Sequence, residues 1–340
     1  MPEPVWAKCA PASKSRLFFE CPAAAQGVRP VLPLLVLRGA RPGPLLLVIA
    51  GQHGRELHGP AGIARVFDAT DPAALAGTAV FLPAVNPAGI RMHRQDYPFE
   101  EARFRGAVKA SWNMNRLWGV GEKEKTYAGV ITSSVAETFV DRADAVVDLH
   151  GWPSVSTAWG AAADRDLVLA FGLRINVLRT ADQPPAGGML EGYAAARGKP
   201  FLLAELAPQN TLLPERVRQC QTGILNVMRR LGMLPGAPDL PREQLVFSMQ
   251  GRETLLECDR EGLCEPLAEN GEWVEADQVL ARLWSLDTFE PVREFRAPHA
   301  GSVTNILSFG WGEDIAGGAV VHPGSPVVLV RGDAEFVRRS

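Results

Sequence analysis

The sequence lacks the cysteine spacing of a thiolate metal site or of a disulfide framework. No Cys-x-x-Cys pair is present, and the five cysteines are scattered along 340 residues. An odd number of dispersed cysteines is typical of a reducing compartment. We therefore expect a cytoplasmic protein in which thiolates do not hold a metal.

Long apolar runs and an excess of positive charge are also missing. The longest aliphatic run is LLLVIA at residues 45–50, whereas a membrane-spanning helix needs about 20 apolar residues. The N-terminus does not have the basic and then apolar order of a targeting signal. The formal net charge of −3 leaves no basic surplus for a nucleic acid backbone. We expect neither a membrane nor a nucleic acid as partner, and the sequence leaves a homo-oligomer open.

Short apolar segments alternate with helix-like stretches in the first two thirds of the chain. The apolar segments lie at residues 45–50, 78–87, 144–149, 166–177 and 200–204, and helical patterns lie at 133–142 and 188–197. Apolar runs of this length are typical of strands that are buried on both faces. The alternation predicts an α/β fold with a mixed, mostly parallel sheet flanked by helices.

The composition of the sequence changes after residue 231. Residues 231–244 are rich in proline and glycine, and short apolar stretches separated by turn residues follow from 245 onward. We therefore predict a catalytic domain at residues 1–235 and a small all-β domain at 245–340. The second domain is expected to cover the active-site cleft.

Three of the apolar segments end directly in residues that can bind a metal or move a proton. His53 and Glu56 lie in GQHGRE after the first strand, and His150 ends DAVVDLHG. Strand ends meet at one edge of a parallel sheet, and two histidines with one glutamate form a common zinc set in hydrolases. The three residues together predict a metal site, although a lone histidine after a strand is more often structural.

Glu205 ends the apolar segment KPFLLAE, where a low dielectric is expected to raise the pKa of its carboxyl group. A general acid and base is needed to hydrolyse an amide. From the strand alone, a salt-bridged surface glutamate is an equal alternative.

Arginines cluster between the first two metal-binding segments. Arg116 follows Asn115 in SWNMNRLWG and is able to bind a carboxylate through two parallel hydrogen bonds. Any one of the upstream arginines is a candidate to stabilise an oxyanion, and a solvated basic loop is the alternative for most of them; they are Arg91, Arg94, Arg103 and Arg105.

These segments, in this order, resemble the succinylglutamate desuccinylase/aspartoacylase family of the zinc carboxypeptidase clan. GQHGRE resembles its G-x-H-G-x-E metal motif, FLPAVNPAGIRMHRQ its strand followed by Asn-Pro-x-Gly, and NMNRLWG its D-x-N-R-x-F. AVVDLHG and GGMLEGYAAARGKPFLLAE resemble the strands that carry the third ligand and the catalytic glutamate. The likeness covers residues 45–207, and the C-terminal part resembles barrel-sandwich carrier domains without their attachment lysine.

The resemblance implies a carboxypeptidase-like fold, one zinc ion per chain, a general base and groups that hold a substrate carboxylate and an oxyanion. In that order these are His53, Glu56 and His150, then Glu205, then Asn115 with Arg116, and finally Arg94. The implied activity is hydrolysis of the amide bond of an N-acyl amino acid or a similar small amide. Two alternatives stay open: a zinc carboxypeptidase acting on peptides, and a non-catalytic binding protein of the same fold.

The sequence departs from the family pattern near the substrate residues. Asn113 stands in place of the family's Asp, Trp118 stands in place of its Phe, and residues 97–111 look inserted. The C-terminal domain contains no tyrosine to donate to the pocket, as some relatives do. These departures predict a substrate other than acetylaspartate or succinylglutamate.

Overall fold

The computed structural model describes residues 4–25, 27–96, 113–119, 125–152, 156–180, 185, 187–307, 309–311, 314–316 and 318–339. Its α-helices are α1 (His58–Ala69), α2 (Pro87–Met92), α3 (Tyr127–Thr138), α4 (Arg165–Phe171), α5 (Leu190–Ala195) and α6 (Pro214–Arg230). Short 3-10 helices lie at Val5–Lys8, Pro72–Ala74, Met114–Arg116 and Val140–Arg142. Among the helices that can be described, none combines the length and the apolar character needed to span a membrane.

A ten-stranded sheet forms the centre of the molecule. Its strands, in spatial order, are β1 (Ser13–Glu20), β2 (Val31–Arg38), β4 (Ala76–Leu82), β3 (Arg41–Ala50), β5 (Ala145–His150), β8 (Phe201–Glu205), β6 (Trp159–Ala162), β7 (Ile175–Leu178), β9 (Glu243–Ser248) and β20 (Glu335–Arg338). Strands β4, β3, β5 and β8 are parallel, whereas β6 runs antiparallel to β8. The predicted α/β class with a mixed sheet flanked by helices is confirmed.

Both faces of the sheet are covered by apolar layers. Alternate residues of β3 point to opposite faces, so that Leu47 and Ile49 join one buried cluster and Leu46 and Val48 join the other. Helix α3 contributes to the first cluster, and α1 and α6 contribute to the second. Burial on both faces explains the uninterrupted apolar run that predicted this strand.

One predicted apolar segment, residues 166–177, is divided between two elements and is wrong as a single strand. Helix α4 begins after Asp164, whose side chain accepts a hydrogen bond from the backbone N–H of Leu167. The helix ends at Gly172, which has a φ of 90° in the left-handed region that favours glycine. Only then does β7 begin, at Ile175.

The C-terminal region contains separate antiparallel sheets around an apolar core of their own. One sheet has the order β10 (Glu253–Glu257), β19 (Pro326–Arg331), β15 (Gly301–Ile306) and β12 (Trp273–Val274); the other has β14 (Pro291–Arg296), β13 (Val279–Trp284), β11 (Gly262–Pro266) and β18 (Val320–Val321). A hairpin of β16 (Phe309–Trp311) and β17 (Asp314–Ala316) accompanies them. Strands β9 and β20 belong to the large sheet. The predicted domain boundary between residues 235 and 245 stays a prediction.

The C-terminal sheets contact the loop that follows β5. Ser156 forms an isolated antiparallel bridge with Asn305 of β15. Arg174, which directly precedes β7, also donates to the carbonyl oxygen of Gly271. These contacts bring the small sheets to the side of the chain segment that follows His150, and the predicted covering of the cleft stays a prediction.

Candidate metal centre

The carboxyl ends of β3, β5 and β8 bring the sequence-predicted residues together. His150 and Glu205 are the last residues of β5 and β8 and are register partners across the parallel ladder. His53 follows β3 after Gly51, whose φ of 65° suits glycine and whose added Cβ would lie 2.8 Å from the Cδ1 atom of Ile90. The tight turn therefore delivers His53 to the edge where His150 ends.

His53, Glu56 and His150 form a buried cluster. Their candidate ligand atoms all lie within 4.8 Å of one another. The Nδ1 atom of His53 is 2.8 Å from Oε1 of Glu56, and the Nδ1 atom of His150 is 3.1 Å from Oε2. Two imidazoles therefore face the two oxygens of one carboxylate, as three ligands around a single cation do.

The outer nitrogens of both histidines are fixed by hydrogen bonds. The Nε2 atom of His150 is 2.9 Å from Oδ2 of Asp148, and the Nε2 atom of His53 is 3.0 Å from Oδ1 of Asn113. The same Oδ1 accepts from the backbone N–H of Asn115 at 2.9 Å, so this atom is the amide oxygen. Each Nε2 therefore carries the proton it donates, and each Nδ1 faces the inside of the cluster.

The cluster fits a divalent cation. Besides the two Nδ1 atoms, it offers the buried carboxylate of Glu56, whose Oε2 atom lies 3.1 Å from Nδ1 of His150. Burial disfavours the ionised form of Glu56, but the charges and hydrogen bonds of His53 and His150 lower its pKa to about 2. Burial likewise opposes the charged form of His150, but Asp148 and Glu56 raise its pKa well above the ordinary value. A cation is the partner that such a set of donors favours.

Glu205 differs from Glu56 in its electrostatics. Burial is the main cause that raises the pKa of Glu205, to about 7; the nearby Glu56 raises it further, and His150 opposes the shift. Its Oε2 atom is buried and makes no hydrogen bond among the described residues. A carboxyl group that titrates near neutrality beside a candidate metal site is suited to proton transfer.

Three glutamines that the sequence did not single out support the cluster. Gln209 donates from Nε2 to Oε1 of Glu56 at 3.0 Å and to the carbonyl oxygen of Gly151 at 2.7 Å. Gln95 donates to the same Glu56 oxygen at 3.5 Å, and Gln52 donates to Asp148. Only their positions gave a signal: Gln52 precedes His53, and Gln209 follows shortly after β8.

The predicted substrate residues lie on the 3-10 helix Met114–Arg116. The Oδ1 atom of Asn115 accepts from the backbone N–H of Leu190 at 2.9 Å, so the Nδ2 amide is the group left for a ligand. Arg116 is half-buried and forms no ion pair with any described residue; its Nη1 atom donates to the carbonyl oxygen of Asn115 at 2.7 Å. Their roles toward a substrate stay predictions.

The upstream arginines are only partly placed. Arg94 is exposed, and its backbone packs on the metal motif, because a Cβ added to Gly54 would lie 2.4 Å from the Arg94 carbonyl oxygen. Arg91 is exposed and lines a groove with Phe18 and Tyr127. Arg103, Arg105 and the segment 97–111 lie outside the described residues. The oxyanion role of Arg94 stays a prediction.

Comparison with known proteins settles the family. The model of the succinylglutamate desuccinylase/aspartoacylase catalytic domain matches residues 42–231. The chain belongs to this family of deacylases. The predicted resemblance is therefore confirmed.

Individual relatives are distant. The chain is 23% identical over 290 residues to the N-alpha-acetyl-L-2,4-diaminobutyric acid deacetylase of Halomonas elongata, covering 80% of this chain and 79% of that protein. The product-bound structure of the ectoine utilization protein EutE (DoeB) from Ruegeria pomeroyi has a TM-score of 0.71 at 22% identity, covering 95% and 97% of the two chains. A succinylglutamate desuccinylase/aspartoacylase structure from Shewanella frigidimarina has a TM-score of 0.74 at 16% identity, covering 97% and 100%. At these identities the structural neighbours show the fold.

Proposed function

We propose that this deacylase binds one zinc ion through His53, Glu56 and His150 and removes the acyl group from a small N-acyl amino acid. The observation that carries the proposal is the buried cluster of two Nδ1 atoms and a carboxylate, with the high-pKa carboxyl group of Glu205 beside it. Two histidines and a glutamate, with room for water, are the ligand set of zinc peptidases and carboxypeptidases. A zinc ion at this position supplies Lewis acidity to the substrate carbonyl and acidifies water.

Glu205 performs the proton transfers in this proposal. Its carboxylate accepts the proton of the water molecule that attacks the amide carbonyl, and the resulting carboxylic acid returns that proton to the leaving amine. In the metal-free protein burial raises the pKa of Glu205 above that of a free glutamate, which moves its proton affinity toward the neutral range in which both transfers take place. The fixed position at the end of β8 keeps the group beside His150.

In this proposal the protein binds the substrate through the substrate's own carboxylate. Arg116 is half-buried and has no acidic partner among the described residues, so it is available to a substrate carboxylate. Arg94, next to Gly54 of the metal motif, is our candidate for the developing oxyanion. The likeness to an N-acetyl-diaminobutyric acid deacetylase supports a small acylated amino acid as substrate.

The experiment that tests the proposal combines metal analysis with amine release. The purified protein is expected to contain about one zinc per chain and to release amine from at least one N-acyl amino acid in a panel. The panel includes N-acetyl-2,4-diaminobutyrate, N-acetylaspartate, N-succinylglutamate and short peptides. Cleavage of peptides alone would favour a carboxypeptidase, and metal-free, inactive protein would favour a binding role.

A pair of histidine variants separates ligand loss from general damage. His150→Ala is expected to abolish zinc binding and turnover. His299→Ala removes another buried histidine, which contacts Thr254 and lies in the C-terminal region, and is expected to keep the metal. Full zinc occupancy in His150→Ala would remove that residue from the ligand set.

A further inference from the structure

Trp118 lies behind the cluster and is joined to it by buried hydrogen bonds. Its indole Nε1–H donates to Oε1 of Gln52 at 2.9 Å, and Gln52 Nε2 donates to both oxygens of Asp148 at 2.9 and 2.8 Å. Asp148 Oδ2 in turn lies 2.9 Å from Nε2 of His150. We propose that Trp118, acting through Gln52 and Asp148, is a positioning residue that holds His150 in its metal-binding orientation; this rests on the proposed zinc site.

The direction of each hydrogen bond follows from the first. An indole N–H only donates, so the amide oxygen of Gln52 must face Trp118 and the amide nitrogen must face Asp148. A reversed amide would place the oxygen of Gln52 against the Asp148 carboxylate. It would also place that oxygen near Nε2 of His150, which now lies 3.1 Å from the Gln52 nitrogen. The indole therefore selects Asp148 as the acceptor for His150.

Burial makes these contacts hard to replace. Gln52, Asp148 and Trp118 are 0%, 1% and 2% exposed, so water does not reach them to replace a lost partner. A buried polar group that loses its partner is destabilising, because water cannot replace the lost hydrogen bond. The three side chains therefore depend on one another, and loss of the Trp118 hydrogen bond is expected to change the orientation of His150.

Sequence context makes Trp118 informative. The family pattern D-x-N-R-x-F has Phe at this position, and Phe has no N–H to donate. At the other end of the same segment, Asn113 gives His53 a neutral amide oxygen in place of the pattern's carboxylate. Among the described residues, His150 therefore has a carboxylate at its outer nitrogen and His53 does not, so the position of Asp148 matters more for holding the metal ligands.

The same segment also carries the proposed substrate group Arg116. Asn113 and Trp118 flank it, and each reaches one metal histidine, directly or through Gln52. The backbone N–H of Trp118 is anchored to the carbonyl oxygen of Gly188 at 2.9 Å. The residues that would bind substrate and the supports of the metal ligands therefore share one short piece of chain.

The test removes the indole N–H and keeps an aromatic ring at this buried position. Trp118→Phe is expected to weaken zinc binding about 10–100-fold in competition with a chelator, the usual effect of losing a support of a metal ligand. Trp284→Phe is the control, because the indole N–H of Trp284 also donates to a side-chain oxygen, Oε2 of Glu265 at 3.0 Å, but Trp284 lies on β13. The control is expected to bind zinc like the wild type.

A second variant shows whether the effect travels through Gln52. Gln52→Met keeps the length of the side chain and removes both of its hydrogen-bonding groups. We expect it to weaken zinc binding at least as much as Trp118→Phe, and we expect the double variant to bind zinc no more weakly than Gln52→Met alone. Affinities are compared under conditions in which a denaturant titration shows that every variant is folded.

A spectroscopic readout distinguishes positioning from general stability. Addition of zinc to the wild type is expected to shift the indole N–H resonance of Trp118 but not that of Trp284, and the Trp118 shift is expected to vanish in Gln52→Met. Equal zinc affinity of Trp118→Phe and wild type would overturn the positioning role while leaving the zinc site intact. A wild type that binds no zinc would overturn both, which metal analysis shows directly.

Discussion

The carboxyl edge of β3, β5 and β8 and the C-terminal antiparallel sheets place charge in opposite ways. At the edge, ionisable groups are buried against one another; they are His53, Glu56, Asp148, His150 and Glu205. In the C-terminal sheets the interior is filled by residues such as Leu283 and Val330, whereas ion pairs such as Arg293–Asp259 are exposed. Buried ionisable groups are concentrated in the first region, and apolar packing stabilises the second.

The two regions differ in how much charge they bury, and therefore in how their interiors contribute to the free energy of unfolding. Burying charge is costly unless a partner of opposite charge compensates it. At the edge, Glu205 is buried and its pKa is raised. Ionisation of this carboxyl group therefore lowers the free energy of unfolding. Among the described residues of the C-terminal sheets, no aspartate or glutamate side chain is buried.

The largest expected effect tests the edge. Glu205→Gln is expected to lower kcat by about 10²–10⁴-fold because the proposed general base is lost, while zinc content stays the same. Steady-state kinetics and metal analysis measure the two quantities. The control in the other region is Glu253→Gln, which removes a carboxylate 3.3 Å from Arg331 at the surface of β10 and is expected to leave kcat unchanged. Undiminished turnover in Glu205→Gln would assign the proton transfer elsewhere.

The next effect concerns the apolar core of the C-terminal sheets. Leu283 on β13 is fully buried, and Leu283→Ala is expected to lower the free energy of unfolding by about 2–5 kcal/mol through lost contacts and a cavity. At a temperature where the variant is folded, zinc content should match the wild type. Loss of zinc from the folded variant would show that the two regions are not separable in this way.

The residues of the candidate metal centre were recognisable in the sequence alone. Buried strands leave apolar runs in the sequence, and His150 and Glu205 are recognisable because they end such runs, while His53 and Glu56 follow one within a short turn. The fold class followed from the same alternation. These features are local, so no tertiary contact is needed to recognise them.

The supports of the site were not recognisable in the same way. Gln209 and Glu56 are separated by 153 positions in the chain, and an amide side chain has no pattern that marks it as a partner of a carboxylate. Asn113 was noted only as a departure from a pattern, and its contact with His53 depends on how the 3-10 helix meets the turn after β3. Only the packed fold determines such pairings.

A smaller effect appears in the pH dependence of stability at the edge. In the metal-free protein the pKa of Glu205 is about 7, above its ordinary value of 4.5, so the folded state binds its proton more tightly than the unfolded chain. The stabilisation is complete below pH 4.5 and is lost as the pH rises through 7.

Glu205→Gln removes this contribution. Without metal, the variant is expected to match the wild type near pH 5 and to exceed its free energy of unfolding near pH 8 by up to about 3 kcal/mol. Denaturant titrations with a chelator present measure the difference. The pKa values of His53 and His150 are raised in the wild type, and because Glu205 interacts with both histidines, the difference measures the Glu205 carboxyl group together with its effect on them. A constant gap between the two proteins from pH 5 to 8 would contradict it.

The smallest effect compares two carboxylates with the same low pKa. Arg260 and Arg293 donate to Asp259 and lower its pKa to about 2, the value that His53 and His150 give to Glu56. Asp259 is exposed, however, and solvent and salt screen its ion pairs. Asp259→Asn is therefore expected to leave the thermal midpoint and the zinc content unchanged, whereas Glu56→Gln is expected to lose the metal. Differential scanning calorimetry and metal analysis distinguish these outcomes. A clear loss of stability in Asp259→Asn would show that exposed ion pairs matter to the C-terminal sheets as well.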